Sequence, residues 1–401
     1  MQRRFFLLLC LPVLLIGCKR HAASPTADNG IPIDDTLRQA LDAYVEQRQP
    51  AEHLGLLVYD LTADKPVYAY REKALMPPAS CMKLLTGLAA LHLMGSHYAY
   101  TTQIKARGLI QGDTLHGNVA LVGSLAPLFH TSDLPMFIKP LKKKGIRALK
   151  GRFYLDLASH RQVQAEEHWY PWDLELGRYG LFYRDSAFVM HAVRNALKSQ
   201  GIAVADSSFC FSPAPADLHT LFRLKRDMGL TLNRVWKNSS NTLCTGLLYT
   251  IGHETAPTQP DMAAGGIGYL HQFISEELGD TCTYVIHDGC GLCDQNRLTA
   301  QLLIELLRYG HQRPELMAKL RAHLPIAGVD GTLWRQMQRE TTRRKVQAKT
   351  GTLSHPYGIS TLAGYCRGRN GHELCFAIMN KEMSVLDARP MQERLCELML
   401  R

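Results

Sequence analysis

Past residue 17 the chain has no apolar run approaching the length of a bilayer-spanning helix, which excludes a bundle of membrane-crossing helices. It has no internal repeat and no low-complexity tract, which removes solenoid arrays and biased-composition scaffolds. Cysteine is present without being organised. Of eleven, Cys10 and Cys18 lie in the N-terminal segment, and the nine that remain cannot all pair within the chain. That excludes the disulfide framework of a small secreted domain. Cys290 and Cys293 form a Cys-x-x-Cys with no second pair at zinc-finger spacing, so the sequence argues for no metal and no other cofactor. An excess of acid is also missing, since 46 Lys and Arg face 36 Asp and Glu. The formal charge of +10 falls to +8 once Arg3 and Arg4 are set aside with residues 1–17. The basic runs Lys142-Lys143-Lys144 and Arg343-Arg344-Lys345 are short and far apart, which argues against nucleic acid as a partner.

What is present begins with an address. Arg3 and Arg4 precede an apolar run from Phe5 to Ile16 that leads into Gly17-Cys18, the layout of a secretory signal peptide over residues 1–17. The run is short for a membrane span, and the small residue before Cys18 resembles the bacterial lipoprotein box, whose cysteine becomes the lipidated N-terminus. Lys19, not aspartate, follows Cys18. By that resemblance the protein is expected to be exported and held through Cys18 at the outer membrane, facing the periplasm. A basic exported protein suits anionic surroundings such as cell-wall polymer or phospholipid headgroups. Residues 18–33 are small, polar and broken by proline, the composition of a flexible tether, and the chain beyond is long enough for two or more cores.

Residues 76–95 carry the first chemical signal. Pro77 and Pro78 hold an extended entry, Ser80 is expected to open a helix, Leu84, Leu85, Leu88, Leu91 and Leu93 make it apolar, and Gly95 stops it. Lys83, one turn on, then lies beside the Ser80 hydroxyl. A serine hydroxyl is a poor nucleophile, and a lysine whose ammonium is disfavoured by burial or a cationic neighbour can take its proton. Alone, the spacing is better explained by a capped helix with a surface lysine, because Ser and Lys are common enough to fall at this spacing by chance. A helix over residues 33–46 and a hairpin of 55–61 with 66–71 precede this segment, and a short helix with Pro390 in its first turn closes the chain. Between residues 109 and 205 short strands alternate with helices near 134–144 and 190–200, and an aromatic tract runs from His168 to Tyr183. This predicts an α+β insertion within a domain built from 34–108 and 206–401. Cys366 and Cys375 flank Asn370-Gly371, a type I′ hairpin signal, at opposed positions that suit either a disulfide, which we predict, or two buried thiols.

Two more triplets lie downstream, Ser239-x-Asn241 and Lys349-Thr350-Gly351. Each alone is explained by a helix cap or a strand-end turn. With Ser80-x-x-Lys83 they occur once each, in the order used by penicillin-binding proteins and serine β-lactamases. Residues 77–95, 237–252, 288–297, 324–333 and 349–365 resemble the low-molecular-mass class C penicillin-binding proteins, the D-alanyl-D-alanine carboxypeptidase/endopeptidase family, and the resemblance covers most of 34–401. It implies an α/β (α+β) fold, the β-lactamase-like penicillin-recognising serine-transferase domain, with an antiparallel sheet flanked by helices and insertions between the first two motifs.

The resemblance also implies roles. Ser80 would attack the carbonyl between the last two D-alanines of a peptidoglycan stem peptide, with Lys83 as base, Ser239 relaying a proton to the leaving amine and Asn241 orienting Lys83. Lys349 would keep Lys83 partly neutral and attract the substrate carboxylate, to which the Thr350 and Thr352 hydroxyls bind. The backbone N–H groups of Ser80 and Thr352 would form the oxyanion hole, and a side chain at Gly351 would crowd the substrate. β-Lactam antibiotics are expected to acylate the same serine. Asp173 and Arg335 are candidates for the ammonium and carboxylate of the third stem residue. Departures from the family pattern are a third domain expected to be missing near residues 187–191, Cys290 and Cys293 at two serine positions, and a Gly-Ser-Gly-Asp-Pro turn that reads Gly123-Ser-Leu-Ala-Pro127. Two rival readings are a serine β-lactamase, although the Glu-x-x-Leu-Asn loop of class A is absent, and a non-catalytic cell-wall-binding lipoprotein, although its motifs are intact.

Overall fold

The computed structural model of the protein describes residues 29–354 and 358–400. The expected signal peptide, Cys18 and most of the tether lie outside the described residues. The chain starts with α1 (Asp35–Arg48), capped by the Asp34 carboxylate, then β1 (Leu54–Asp60), β2 (Lys65–Tyr70) and α2 (Met82–Met94). A second unit follows: β3 (Ala99–Gln111), β4 (Thr114–Gly123), α3 (Leu134–Lys143), β5 (Ala148–Lys150), β6 (Phe153–Leu157), α4 (Ser186–Ser199), β7 (Phe209–Cys210) and β8 (His219–Asp227). Five helices come next, α5 (Met228–Trp236), α6 (Asn241–Thr255), α7 (Met262–Glu276), α8 (Ala300–His311) and α9 (Pro314–His323). The strands β9 (Val346–Leu353), β10 (Ile359–Arg367) and β11 (Glu373–Asn380) and the helix α10 (Val385–Leu400) complete it.

The first and last strands join into one antiparallel sheet, ordered β2-β1-β11-β10-β9. Helices cover both its faces, which is why β1, Leu-Gly-Leu-Leu-Val-Tyr-Asp, is buried along its whole length. Leu56 and Val58 pack with Leu37 and Leu41 of α1 and Leu395 and Met399 of α10. Leu57 and Tyr59, pointing the other way, join Leu84 and Leu88 of α2 and Leu303 and Leu307 of α8. Each fully buried leucine contributes about 1.5–3 kcal/mol, so a one-residue slip that exchanged the two sets of side chains is strongly opposed.

That register overturns the expected disulfide. Residues 368–372 make the β10–β11 turn, in place of a two-residue Asn370-Gly371 turn, with Gly371 at φ 84 and its N–H donated to the Gly368 carbonyl. Arg367 therefore opposes Glu373, Cys366 opposes Leu374 and Tyr365 opposes Cys375. The two thiols point to opposite faces of the sheet, and both are free. Pro390 is likewise displaced from its expected place. It lies inside α10, which begins at Val385, one turn and more before the position the proline suggested.

The insertion is wider at both ends than residues 109–205. β3 and β8 carry the chain out and back as antiparallel neighbours, Ala99 opposite Asp227, in a sheet ordered β7-β6-β4-β3-β8. α4 runs unbroken across residues 187–191, where a third domain was expected to be missing. One apolar cluster includes Leu84 of α2, Trp236 of α5, Leu247 of α6, Leu155 of β6 and Val189 of α4, so the two units share a core.

Candidate active site

Ser80 does not open the helix as a cap. It sits in a tight 3-10 turn, Ala79–Cys81, that feeds α2, and its side chain makes no capping bond. The preceding Ala79 is held at φ 43, a left-handed conformation uncommon for a residue with a side chain. The hydroxyl is thus left for Lys83. The Lys83 side chain is fully buried, with Nζ 2.8 Å from Ser80 Oγ, 2.8 Å from Asn241 Oδ1 and bonded also to the Cys290 carbonyl. A neutral amine has two N–H donors and one lone pair. Two carbonyl oxygens take the donors here, which turns the lone pair of the neutral form toward the Ser80 hydroxyl.

Each partner is fixed by its element. Trp236, at the end of α5, donates its indole N–H to the Lys83 carbonyl at 2.8 Å, and its ring lies where a side chain on Gly87 would stand, so α5 and α2 cross closely. Ser240, not Ser239, caps α6, which leaves Asn241 in the first turn facing Lys83. Ser239 is held at φ 58 and its hydroxyl accepts from Lys349 Nζ at 2.9 Å. Ser239 therefore pairs with Lys349. Lys349 is fully buried and also donates to the Thr350 carbonyl at 2.6 Å. Burial first, and the neighbouring Lys83 second, lower its amine to about 7.

Strand β9 is the edge of its sheet, and its free side forms the wall of the cleft. The Ala348 N–H points away from β10, to the Pro325 carbonyl. By the alternation of a strand, the N–H groups of Thr350 and Thr352 face the same way, into the cleft. Ser80, at the head of its turn, has no intrahelical partner for its own N–H. A Cβ added to Gly351 would lie 2.0 Å from Thr361 Oγ1, 2.8 Å from the Pro78 carbonyl and 3.0 Å from Ser80 N. The glycine therefore lets β9 pass against the Ser80 turn and set two N–H groups side by side. It spares the protein's own backbone and the Thr361 hydroxyl. The cleft, of about 450 Å³, is lined by Ser80, Ser239, Thr332, Thr350, Thr352, Arg335 and Arg389 among others. Thr350 Oγ1 is 2.7 Å from Thr332 Oγ1, so of the two expected carboxylate-binding threonines this one already has a side-chain partner.

Arg335 is in the cleft, its guanidinium over the Trp334 ring at 4.2 Å. Asp173 is not among the lining residues. Its carboxylate accepts the Tyr170 N–H at 3.0 Å, which closes a turn of the aromatic tract. Three features escaped the sequence. Arg389 reaches the cleft from α10, near the far end of the chain. The Cys290 carbonyl is a main-chain group without a residue signature. Asp288 arranges it: the buried carboxylate accepts N–H bonds from Cys290 at 3.0 Å, Gly291 at 2.5 Å and Cys293 at 2.7 Å, and the Trp169 indole at 2.8 Å. The Asp-Gly-x-Gly stretch could have signalled that turn. Gly291 is held at φ 78 with its Cα so close to the Ala79 carbonyl that a Cβ would stand 1.8 Å from it. This close approach brings the loop onto the nucleophile turn.

With this geometry in view, comparison with known proteins is informative. Residues 37–179 and 183–400 match the D-Ala-D-Ala carboxypeptidase 3 (S13) family. The chain is 26% identical over 476 residues to a D-alanyl-D-alanine carboxypeptidase of Actinomadura sp. (strain R39), covering 92% of this chain and 85% of the relative. In fold it is similar to penicillin binding protein 4 from Haemophilus influenzae, with a TM-score of 0.73 and 17% identity over 88% of this chain and 96% of that one. It is also similar to a predatory peptidoglycan endopeptidase from Bdellovibrio bacteriovorus, with a TM-score of 0.57 and 14% identity over 86% and 90% of the two chains.

Proposed function

This chain belongs to the D-Ala-D-Ala carboxypeptidase 3 (S13) family, and from that premise we propose that Ser80 is the acylated nucleophile of a serine peptidase that trims D-alanyl-D-alanine ends of peptidoglycan stem peptides. The observation that carries the reading is the Lys83 amine, buried, held by two carbonyl oxygens and 2.8 Å from Ser80 Oγ. Ser80 Oγ attacks the carbonyl between the two D-alanines as its proton passes to Lys83 Nζ. The developing oxyanion lies against the Ser80 and Thr352 N–H groups, and one such donor is worth about 10²–10³ in rate. As the C–N bond breaks, the Ser239 hydroxyl passes its proton to the leaving amine and takes in its place the proton that Lys83 accepted from Ser80, which returns Lys83 to the neutral amine. Water then attacks the ester as Lys83 takes its proton, and Lys83 gives that proton to Ser80 Oγ as the acyl C–O bond breaks. The guanidinium groups of Arg335 and Arg389 give the cleft the charge that a terminal carboxylate requires, and Lys349, buried behind Ser239, adds to it where it is protonated, below about pH 7.

A β-lactam presents an acyl group to the same constellation. Fluorescent penicillin should give a single covalent adduct on the intact protein, absent in Ser80→Ala, and the unlabelled enzyme should release D-alanine from a stem pentapeptide. No adduct and no release from folded protein would refute the reading, whereas rapid drug hydrolysis without an adduct would move it to a β-lactamase. Cleavage of cross-links uses the same scissile geometry with a larger leaving group, and comparison of the two substrates measures the balance. The reading extends to location. The run from Phe5 to Ile16 and the Gly17-Cys18 pair support export and lipidation at Cys18, facing the periplasm from the outer membrane. A Cys18→Ala variant should then lose its lipid mass and move to the soluble fraction.

A further inference from the structure

Outside the Ser80 cleft, two segments distant in sequence bring four metal-ligating side chains together. Glu166 and His168 come from the entry to the aromatic tract, Glu166 two residues ahead of it and His168 its first residue, and His287 and Cys293 from the two ends of the Asp288 loop. One ligand atom from each lies within 4.8 Å of those of the other three. Glu166 Oε1 is 2.6 Å from His168 Nδ1 and 3.5 Å from His287 Nδ1, and the two imidazole centroids are 4.9 Å apart. Cys293 is 1% exposed and the Glu166 side chain 14%. A tetrahedral ion with bonds of ~2.0–2.3 Å needs ligand atoms roughly 3.3–3.8 Å apart, so the four stand within about an ångström of that arrangement.

The ligand chemistry narrows the ion. A thiolate and a carboxylate together balance a divalent charge, and two imidazoles complete a mixed S, N and O set. Magnesium and calcium take oxygen ligands, whereas this set suits zinc. Part of the site is fixed without a metal, because Asp288 already holds the Cys293 N–H at 2.7 Å and the Trp169 indole, next to His168, at 2.8 Å. We propose that Glu166, His168, His287 and Cys293 bind a divalent transition metal, zinc by its ligand chemistry, which clamps the inserted unit to the loop beside the nucleophile. Four protein ligands leave no open position, so the ion is structural and does not activate water. Cys290, the other half of the Cys-x-x-Cys, takes no part. Three of the four ligands lie outside that pair, which is why cysteine spacing alone argued against a metal.

The test is independent of acylation at Ser80. The full chain, stripped with a chelator, is titrated with zinc and separately with cobalt. We expect one equivalent of zinc per chain by elemental analysis, a thiolate-to-metal charge-transfer band in the cobalt form, and a zinc-dependent rise in melting temperature. Cys293→Ser should abolish the band, and both Cys293→Ser and His287→Ala should weaken zinc binding at least about tenfold. Circular dichroism establishes that the variants fold, and the conservative Glu166→Gln, which keeps shape and removes charge, should weaken binding if either does not. A folded wild type that binds no equivalent of zinc, or one whose binding is unchanged in these variants, overturns the proposal and leaves a hydrogen-bonded cluster.

Discussion

Lys349 sets the pH response of the site at the scale of one residue. Its amine titrates near 7 because burial, first, and Lys83, second, disfavour its charge. Below that pH it is an ammonium that can pair with a substrate carboxylate, and above it the charge is lost. KM for a carboxylate-ended peptide should therefore rise as pH increases through about 7, and Lys349→Arg, which stays charged, should flatten that rise. The same shift has a stability consequence. Between about 7 and the ordinary lysine value of 10.5 the unfolded chain holds a proton that the folded protein lacks, so this group makes the fold more stable as pH rises across that window. Wild type should gain stability relative to Lys349→Met from pH 7 to pH 10, measured by urea unfolding, and a parallel pair of curves would contradict the shift. The Ser80–Lys83 pair was legible because its spacing is a local rule: three residues along a helix brings Lys83 to Ser80 at 2.8 Å. The Cys290 carbonyl and Asp288 were not, because a main-chain acceptor and the carboxylate that aims it carry no spacing of their own.

At the scale of elements, strand β9 and the Ser80 turn are in contact through Gly351. An added Cβ meets backbone at the Pro78 carbonyl and at Ser80 N, 2.8 and 3.0 Å away, as well as the Thr361 hydroxyl at 2.0 Å. Gly351→Ala must push the strand and the turn apart, which displaces the Ser80 and Thr352 N–H groups that we propose as the oxyanion donors. A shift of about 1 Å can cost about a hundredfold in rate, so penicillin acylation of Gly351→Ala should fall by about that factor. Acylation at the wild-type rate would show that the two N–H groups do not act together. Register is the other property of this scale. The Asn370-Gly371 signal made β10 and β11 legible as a hairpin, but the two-residue turn it suggests misplaced their register by one residue, and one residue is enough to send Cys366 and Cys375 to opposite faces. Alkylation of the denatured, unreduced protein should accordingly label both, and reduction should leave the melting temperature unchanged. An unlabelled Cys366–Cys375 pair in the peptide map would contradict the register.

At the scale of the whole molecule, the inserted unit reaches the Asp288 loop beside Ser80 and Lys83. A change of texture near residue 109 was legible in the sequence, but the true joint, Ala99 opposite Asp227, lies inside two strands that look like any others until they pair. Across that joint polar contacts join the units beyond their shared core. The Tyr183 hydroxyl lies between two carbonyl oxygens, 2.8 Å from that of Leu125 in its own unit and 3.0 Å from that of Gly246 in α6, and the Trp169 indole donates to Asp288 at 2.8 Å. The second contact bears on chemistry, because Asp288 also holds the N–H groups of Cys290 and Gly291 and so aims the Cys290 carbonyl at Lys83. Trp169→Phe keeps the aromatic packing and removes one bond to a carboxylate, a loss of about 1.5–3 kcal/mol if fully expressed in the loop. If a tenth-power step of about 1.4 kcal/mol of that reaches the transition state, acylation should slow about tenfold while the chain stays folded. The informative comparison is with Tyr183→Phe, which breaks the other contact and should lower stability without touching the Asp288 loop. Equal acylation rates in the two variants would mean that the inserted unit supports the fold alone. A slower rate confined to Trp169→Phe would mean that it also holds the base in line with the nucleophile.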